Sequence, residues 1–134
     1  PDSPHLVYSS SFYGRLMKTD MNKGRREGVK RFNLFDVGRI DSLRGEWLAG
    51  TLMSKFNTNV VYHGLQHVYK TENGGENWKR ISEDLSYNDK NKMGVYPYLI
   101  YYQAITAIEE GNKAGIIFAG TDDGRLWLTM NDGA

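Results

Sequence analysis

The sequence contains no cysteine. That excludes disulfide staples, thiolate metal sites and a thiol nucleophile, but it leaves the compartment open, because many exported bacterial proteins also lack cysteine. Neither sign of charge prevails, since 17 Lys and Arg stand against 16 Asp and Glu for a formal net charge of +1. No global field therefore draws the chain to nucleic acid or to an anionic membrane. No apolar run approaches the roughly 20 residues that cross a bilayer, so no membrane span is expected. The opening Pro1-Asp2-Ser3-Pro4 lacks the basic-then-apolar order of a signal peptide. With no initiator Met and a final motif that breaks off early, the chain reads as a fragment of something longer, from which an upstream signal could have been lost.

What is present points to strands. The 134 residues are 40% hydrophobic and 13% aromatic, enough for a real core. Fifteen Gly, nine Tyr and three Trp lie among short Val/Ile/Leu/Phe runs. Such a composition favours strands and turns over long helices, so the expected fold class is all-β.

A repeat organises the chain. Val7-Tyr8, Gly14-Arg15-Leu16 and Thr19 return 110 positions later as Ile117-Phe118, Gly124-Arg125-Leu126 and Thr129. Between them, Val60-Val61-Tyr62 and Val68-Tyr69-Lys70-Thr71 have the same layout. Each copy reads as apolar strand, polar loop, apolar strand ending in Thr, then a Gly/Asn/Asp turn. The spacing of 52 to 58 residues suits a four-stranded propeller blade. The middle copy carries four expected strands, near 47–54, 59–64, 67–71 and 77–82. The first copy lacks its innermost strand and the last its outermost. The expectation is a β-propeller fragment of about two and a half blades, in pieces near 1–40, 41–95 and 96–134. The open faces of such a fragment call for further blades or further copies of the chain.

Thr71-Glu72-Asn73-Gly74-Gly75-Glu76-Asn77-Trp78 falls where the third strand turns into the fourth. It resembles the Asp-box, or bacterial neuraminidase repeat, Ser/Thr-x-Asp-x-Gly-x-Thr-Trp, with Asn73 and Asn77 in place of Asp and Thr. The physics fits a structural hairpin: an Asx side chain bonds turn amides, Gly75 takes positive φ, and Trp78 packs on the strands. Thr129-Met130-Asn131-Asp132-Gly133 begins a second box, and Thr19 to Gly24 is at best a decayed third. The segments 67–78, 81–89 and 120–125, with Leu43-Arg44-Gly45-Glu46-Trp47, are similar to the bacterial sortilin-type propeller proteins, often labelled putative glycosyl hydrolases. The resemblance covers most of residues 40–134. It implies a periplasmic or secreted parent. It does not fix an activity, because Asp-box propellers include sialidases, xyloglucan-cleaving enzymes, sortilin-like peptide receptors and photosystem assembly factors.

In such a fold the loops joining strand two to three share one rim with the blade-to-blade connections, and the box turns lie on the other. Chemistry is expected on the first rim. Asp122 and Asp123 are the expected catalytic carboxylates if the module cleaves a glycoside, with a turn-capping role as the rival. Arg44, Trp47, His63, His67 and Tyr98 are the expected ligand contacts. Arg44 could instead order the blade-to-blade loop, the two histidines could serve as hydrogen-bonded rim residues, and the tyrosine run around Tyr98 could be packing. His63 and His67 lack a third ligand at a telling spacing, so no metal is expected, and no cofactor either. Gly74-Gly75 lacks the features of a phosphate loop. The basic stretch from Lys18 to Arg31 reads as a solvated face. The leading reading is a ligand-binding or glycosidase-like module acting on carbohydrate; the alternative is a non-catalytic, sortilin-like scaffold for peptide or protein.

Overall fold

The computed structural model describes residues 3–24, 27–32, 43–92 and 103–133. The alternating runs form three antiparallel sheets in chain order. The first contains β1 (Leu6–Ser11), β2 (Arg15–Asp20) and β3 (Val29–Phe32), with the 3₁₀ turn Phe12–Gly14 joining the first two. The second contains β4 (Thr51–Met53), β5 (Val61–Gly64), β6 (Val68–Thr71) and β7 (Lys79–Arg80). The third contains β8 (Ile105–Glu110), β9 (Ile117–Thr121) and β10 (Leu126–Thr129). Each sheet is a meander in which sequence neighbours pair. The four-stranded middle copy and three-stranded flanking copies follow the repeat.

Register explains how the sheets stack. Tyr8 pairs with Lys18, Tyr62 with Lys70 and Phe118 with Leu128. Because side chains alternate across a strand, these pairs occupy one face of their sheet and Val7, Val61 and Ile117 the other. One core cluster lies between the second and third sheets, where Val60, Tyr62 and Val68 meet Ile105, Ile117 and Ala119. A smaller one, Leu65 and Tyr69 with Leu43 and Trp78, lies towards the first sheet. Each fully buried aliphatic contributes about 1.5–3 kcal/mol, so these seams dominate the adhesion of one sheet to the next.

The turn after β6 closes on itself. Thr71 Oγ1 donates to Asn73 Oδ1 at 2.9 Å and accepts from the Gly75 amide at 2.9 Å, while Asn73 Oδ1 also accepts from the Asn77 amide at 2.9 Å. Gly75 has φ +91°, and a Cβ there would fall 2.4 Å from the Phe32 ring. Trp78 meets the same ring edge-on at 5.7 Å. The turn after β10 repeats the pattern: Thr129 Oγ1 donates to Asn131 Oδ1 at 2.9 Å and accepts from the Gly133 amide at 2.8 Å. In the turn after β2 the capping passes to Asp20, whose Oδ1 accepts from the Asn22 amide at 3.0 Å. Lys18 and Lys30, from the basic stretch, reach the Gly74 carbonyl and Glu76 respectively.

Candidate functional site

The loops between strands two and three converge with the sheet-to-sheet connections on one rim. Arg44 is its hub. Its amide donates to Gln66 Oε1 at 2.8 Å, its Nε to the Gln103 carbonyl at 3.3 Å, and its Nη2 to Asp84 Oδ2 at 2.6 Å and Ser86 Oγ at 2.9 Å. Burial pushes the Asp84 carboxyl up, but hydrogen bonds from Ser86 and Arg44 outweigh it and hold the group below the usual carboxylate range. Arg44 is itself buried. Its fork thus orders the loop after β7 rather than facing outward.

Asp122 and Asp123 do reach this rim. Asp122 Oδ1 accepts the amides of Gln103 at 2.8 Å and Ala104 at 2.9 Å, fixing the lead-in to β8. Asp123 Oδ2 accepts the Tyr87 amide at 2.7 Å, and its Oδ1 accepts from Thr121 Oγ1. These oxygens serve the main chain and the turn. Segment 84–89 is strapped down further by Arg125, which donates to the Ser86 carbonyl at 2.8 Å, and by Trp127 Nε1, which donates to the Leu85 carbonyl at 2.7 Å. The Arg125 guanidinium lies between the rings of Tyr87 and Trp127, at 4.9 and 4.3 Å. A polar cleft of about 280 Å³ beside the strap is lined by Tyr87, Asp89, Lys92, Gln103 and Asp123.

Both histidines expected on this rim turn inward. His63 is wholly buried, with Nδ1 2.8 Å from Thr51 Oγ1 and Nε2 2.7 Å from the Gly14 carbonyl. Only an Nε2–H tautomer satisfies both partners, and burial lowers the ring's pKa to about 4. His63 ties the first sheet to the second, with both ring nitrogens occupied by protein partners. His67 is also buried, edge-on to Tyr69 at 6.3 Å, and its Nδ1 has no hydrogen-bond partner among the described residues. Tyr98 and the tyrosine run around it lie outside the described residues. Among the described residues no three His, Asp or Glu gather as a metal site.

Trp47 is 42% exposed. Its ring packs on Phe12 with centroids 4.0 Å apart and edge-on to Tyr13 at 6.4 Å. The contact depends on a close backbone approach, because a Cβ on Gly45 would fall 2.6 Å from the Tyr13 carbonyl. Phe12 and Leu48 are exposed beside it. The sequence did not single out Phe12 or Leu48: Phe12 is an apolar residue in an expected polar loop, whereas Leu48 falls in the strand expected near 47–54, which begins only at Thr51. A wider groove of about 640 Å³ lies by the Thr71 and Thr129 turns. Its charges are largely paired, Lys70 with Glu72 and Asp132, and Arg80 with Glu83.

Three meandering sheets stacked in chain order, with their loops gathered on two rims, define a β-propeller fragment. No family model and no curated protein matches the chain. Among solved structures it is similar to YCF48 bound to D1 peptide, at a TM-score of 0.59 and 17% identity. The match covers 96% of this chain and 35% of that one, so the chain spans about a third of the length of its structural relative. At that identity the likeness is one of fold.

Proposed function

We propose that this chain is part of an Asp-box-type propeller whose rim grips an extended peptide without cleaving it. One observation carries the reading: the exposed Phe12–Trp47 pair and neighbouring Leu48 form an apolar knuckle on a rim where Arg44 is paired with Asp84 and Asp122 holds backbone amides. An exposed aromatic knuckle gains by burying apolar side chains, and an extended peptide supplies them. A glycosidase needs carboxyl groups that face the sugar; Asp122 and Asp123 accept from backbone amides instead. The YCF48 structure, bound to a peptide, supports peptide recognition as a use of this fold. The two matching Thr–Asn–Gly turns support the Asp-box assignment. On the family resemblance, the parent works in the periplasm or outside the cell.

Tryptophan fluorescence of the chain, titrated with an unstructured Leu/Ser peptide and separately with xyloglucan and sialyl oligosaccharides, tests this. The peptide is expected to shift the emission, and Trp47→Ala, followed by calorimetric titration because the reporter ring is gone, to weaken binding about tenfold or more while keeping native circular dichroism. Saturable binding of an oligosaccharide but not the peptide, or turnover of a glycoside, would overturn the proposal.

A further inference from the structure

The turn that presents Phe12 is strained. Tyr13 has φ +63° and ψ +32°, a left-handed backbone that a non-glycine residue keeps only where its surroundings hold it. Gly14 follows at φ +71°, and a Cβ on it would fall 2.1 Å from Leu65 Cδ2. The turn also lies against Gly45, where a Cβ would fall 2.7 Å from the Gly14 nitrogen. Two residues on from Gly45 comes Trp47, whose ring meets both Phe12 and Tyr13. Whatever fixes this turn therefore fixes the knuckle.

The fixing contact is not local. In the third sheet the matching turn is tied by its own threonine: Thr121 Oγ1 accepts the Arg125 amide at 3.1 Å and donates to Asp123 Oδ1. Ser11, which takes the place of Thr121 in the first sheet, makes no capping hydrogen bond. The Gly14 carbonyl instead accepts Nε2–H of His63 at 2.7 Å, from β5 of the neighbouring sheet. Where the second sheet carries His63, the first and third carry Ser9 and Ala119. The histidine of the series thus stands beneath the turn that lacks its own cap.

We infer that His63 positions the Phe12–Trp47 knuckle through the Gly14 carbonyl, and that protonating its ring lets the turn lift and releases the bound peptide. The release rests on the peptide reading above; the positioning does not. Neutral His63 is fully partnered, with Nε2–H on Gly14 and Nδ1 accepting from Thr51 Oγ1, and the ring is wholly buried. A second proton would put a bare charge there. The ionisable side chains on the elements around it are Tyr8 on β1, Tyr13 in the turn, Arg44 and Glu46 ahead of β4, and Tyr69 and Lys70 on β6. Across the sheet, Glu110 of β8 is held by Ser54 Oγ and the Lys55 amide. None of these offsets the burial that lowers the ring's pKa to about 4, against which the Gly14 bond alone acts. Lifting the turn hydrates the ring and restores its ordinary 6.5, so the lifted state gains about a hundredfold as pH falls from 6.5 to 4.

NMR of the chain between pH 7 and 4, with and without the Leu/Ser peptide with capped ends, tests this. The Gly14 amide and Trp47 indole signals are expected to move as pH falls below 6.5, and the peptide to bind at least tenfold more weakly at pH 4 than at pH 7. His63→Leu removes the donor and is expected to weaken binding about tenfold at pH 7. His63→Gln, whose amide nitrogen can replace Nε2 but takes up no proton in this range, is expected to recover most of that loss and to flatten the pH profile. The Glu46 carboxylate accepts from the Trp47 amide, so Glu46→Gln removes a competing titration and is expected to keep the acid response. Knuckle signals that stay still, a response that persists in His63→Gln, or one that vanishes in Glu46→Gln overturns the inference. Should His63→Leu fail to fold, the wild type and the other two variants decide. A peptide that does not bind at pH 7 overturns the peptide reading and the release with it, whereas the peptide-free signals decide the positioning on their own.

Discussion

A histidine sealed between two sheets must stay neutral, and at His63 this makes stability depend on pH. The ring's pKa is about 4 in the fold against an ordinary 6.5. Above pH 6.5 neither folded nor unfolded chain holds a proton there and the full stability is present. As pH falls from 6.5 towards 4 the unfolded chain takes up a proton that the folded chain refuses, so stability drops by up to about 3 kcal/mol. The urea midpoint is expected to be flat above neutrality and to fall through this window. His63→Gln, though less stable at neutral pH, is expected to lose that segment of the fall; an unchanged profile in the variant would refute the assignment. The residue was visible in the sequence but its environment was not. Nothing around Tyr62-His63-Gly64 announces that the Gly14 carbonyl, 49 residues away in sequence, comes to rest on its Nε2. Asp122 and Asp123 show the same limit: their adjacency hinted at a turn, but the amides of Gln103, Ala104 and Tyr87 that they accept come from remote loops.

At the scale of elements, local chemistry made the strands legible. The recurring valine–tyrosine, lysine–threonine and glycine-turn positions fixed register as well as strand type, because a one-residue slip would exchange the faces of every sheet. The same turn occurs in two settings, which gives a paired test. Thr71 is buried and its turn packs on Phe32 and Trp78, whereas Thr129 is only partly buried. Thr→Val keeps shape but removes the hydroxyl that accepts from Gly75 or Gly133. Thr71→Val is expected to cost about 1–3 kcal/mol and Thr129→Val under about 1, since water can solvate the exposed turn's amide. Chemical denaturation of the two variants checks this, and equal losses would show that the hydrogen bond matters regardless of burial. Gly75→Ala meets two obstacles, positive φ and the Phe32 ring. It is expected to cost about 2 kcal/mol or more, with the Trp78 environment visibly altered in fluorescence.

Over the whole molecule, cohesion on the rim of inter-strand loops runs through Arg44. The sequence placed Arg44, Asp84 and Asp122 on one rim through the order of loops in the repeat, but left open whether Arg44 faced a ligand. Arg44 is buried among segments far apart in sequence, and no pattern of residues encodes such burial. The guanidinium joins the loop after β7 to the lead-in of β8, and Asp122 joins that lead-in to the third sheet's own turn. Arg44→Leu therefore removes a buried donor set from three acceptors at once and leaves Asp84 without its cation. Asp84 is about a quarter exposed, so water recovers part of the loss, and the expected cost is about 2–3 kcal/mol. Arg44→Lys keeps the charge but cannot fork to Asp84, Ser86 and the Gln103 carbonyl together, so it is expected to recover less than half. The two roles, local ion pair and tie between sheets, separate in hydrogen exchange. If Arg44 is a tie, Arg44→Leu lowers protection of the Ala104 and Ile105 amides, which bond to Asp122 and to the Leu65 carbonyl, while the β1–β2 ladder keeps its protection. Loss confined to residues 84–86 would reduce Arg44 to a loop anchor, and the third sheet would then be held by its apolar seam alone.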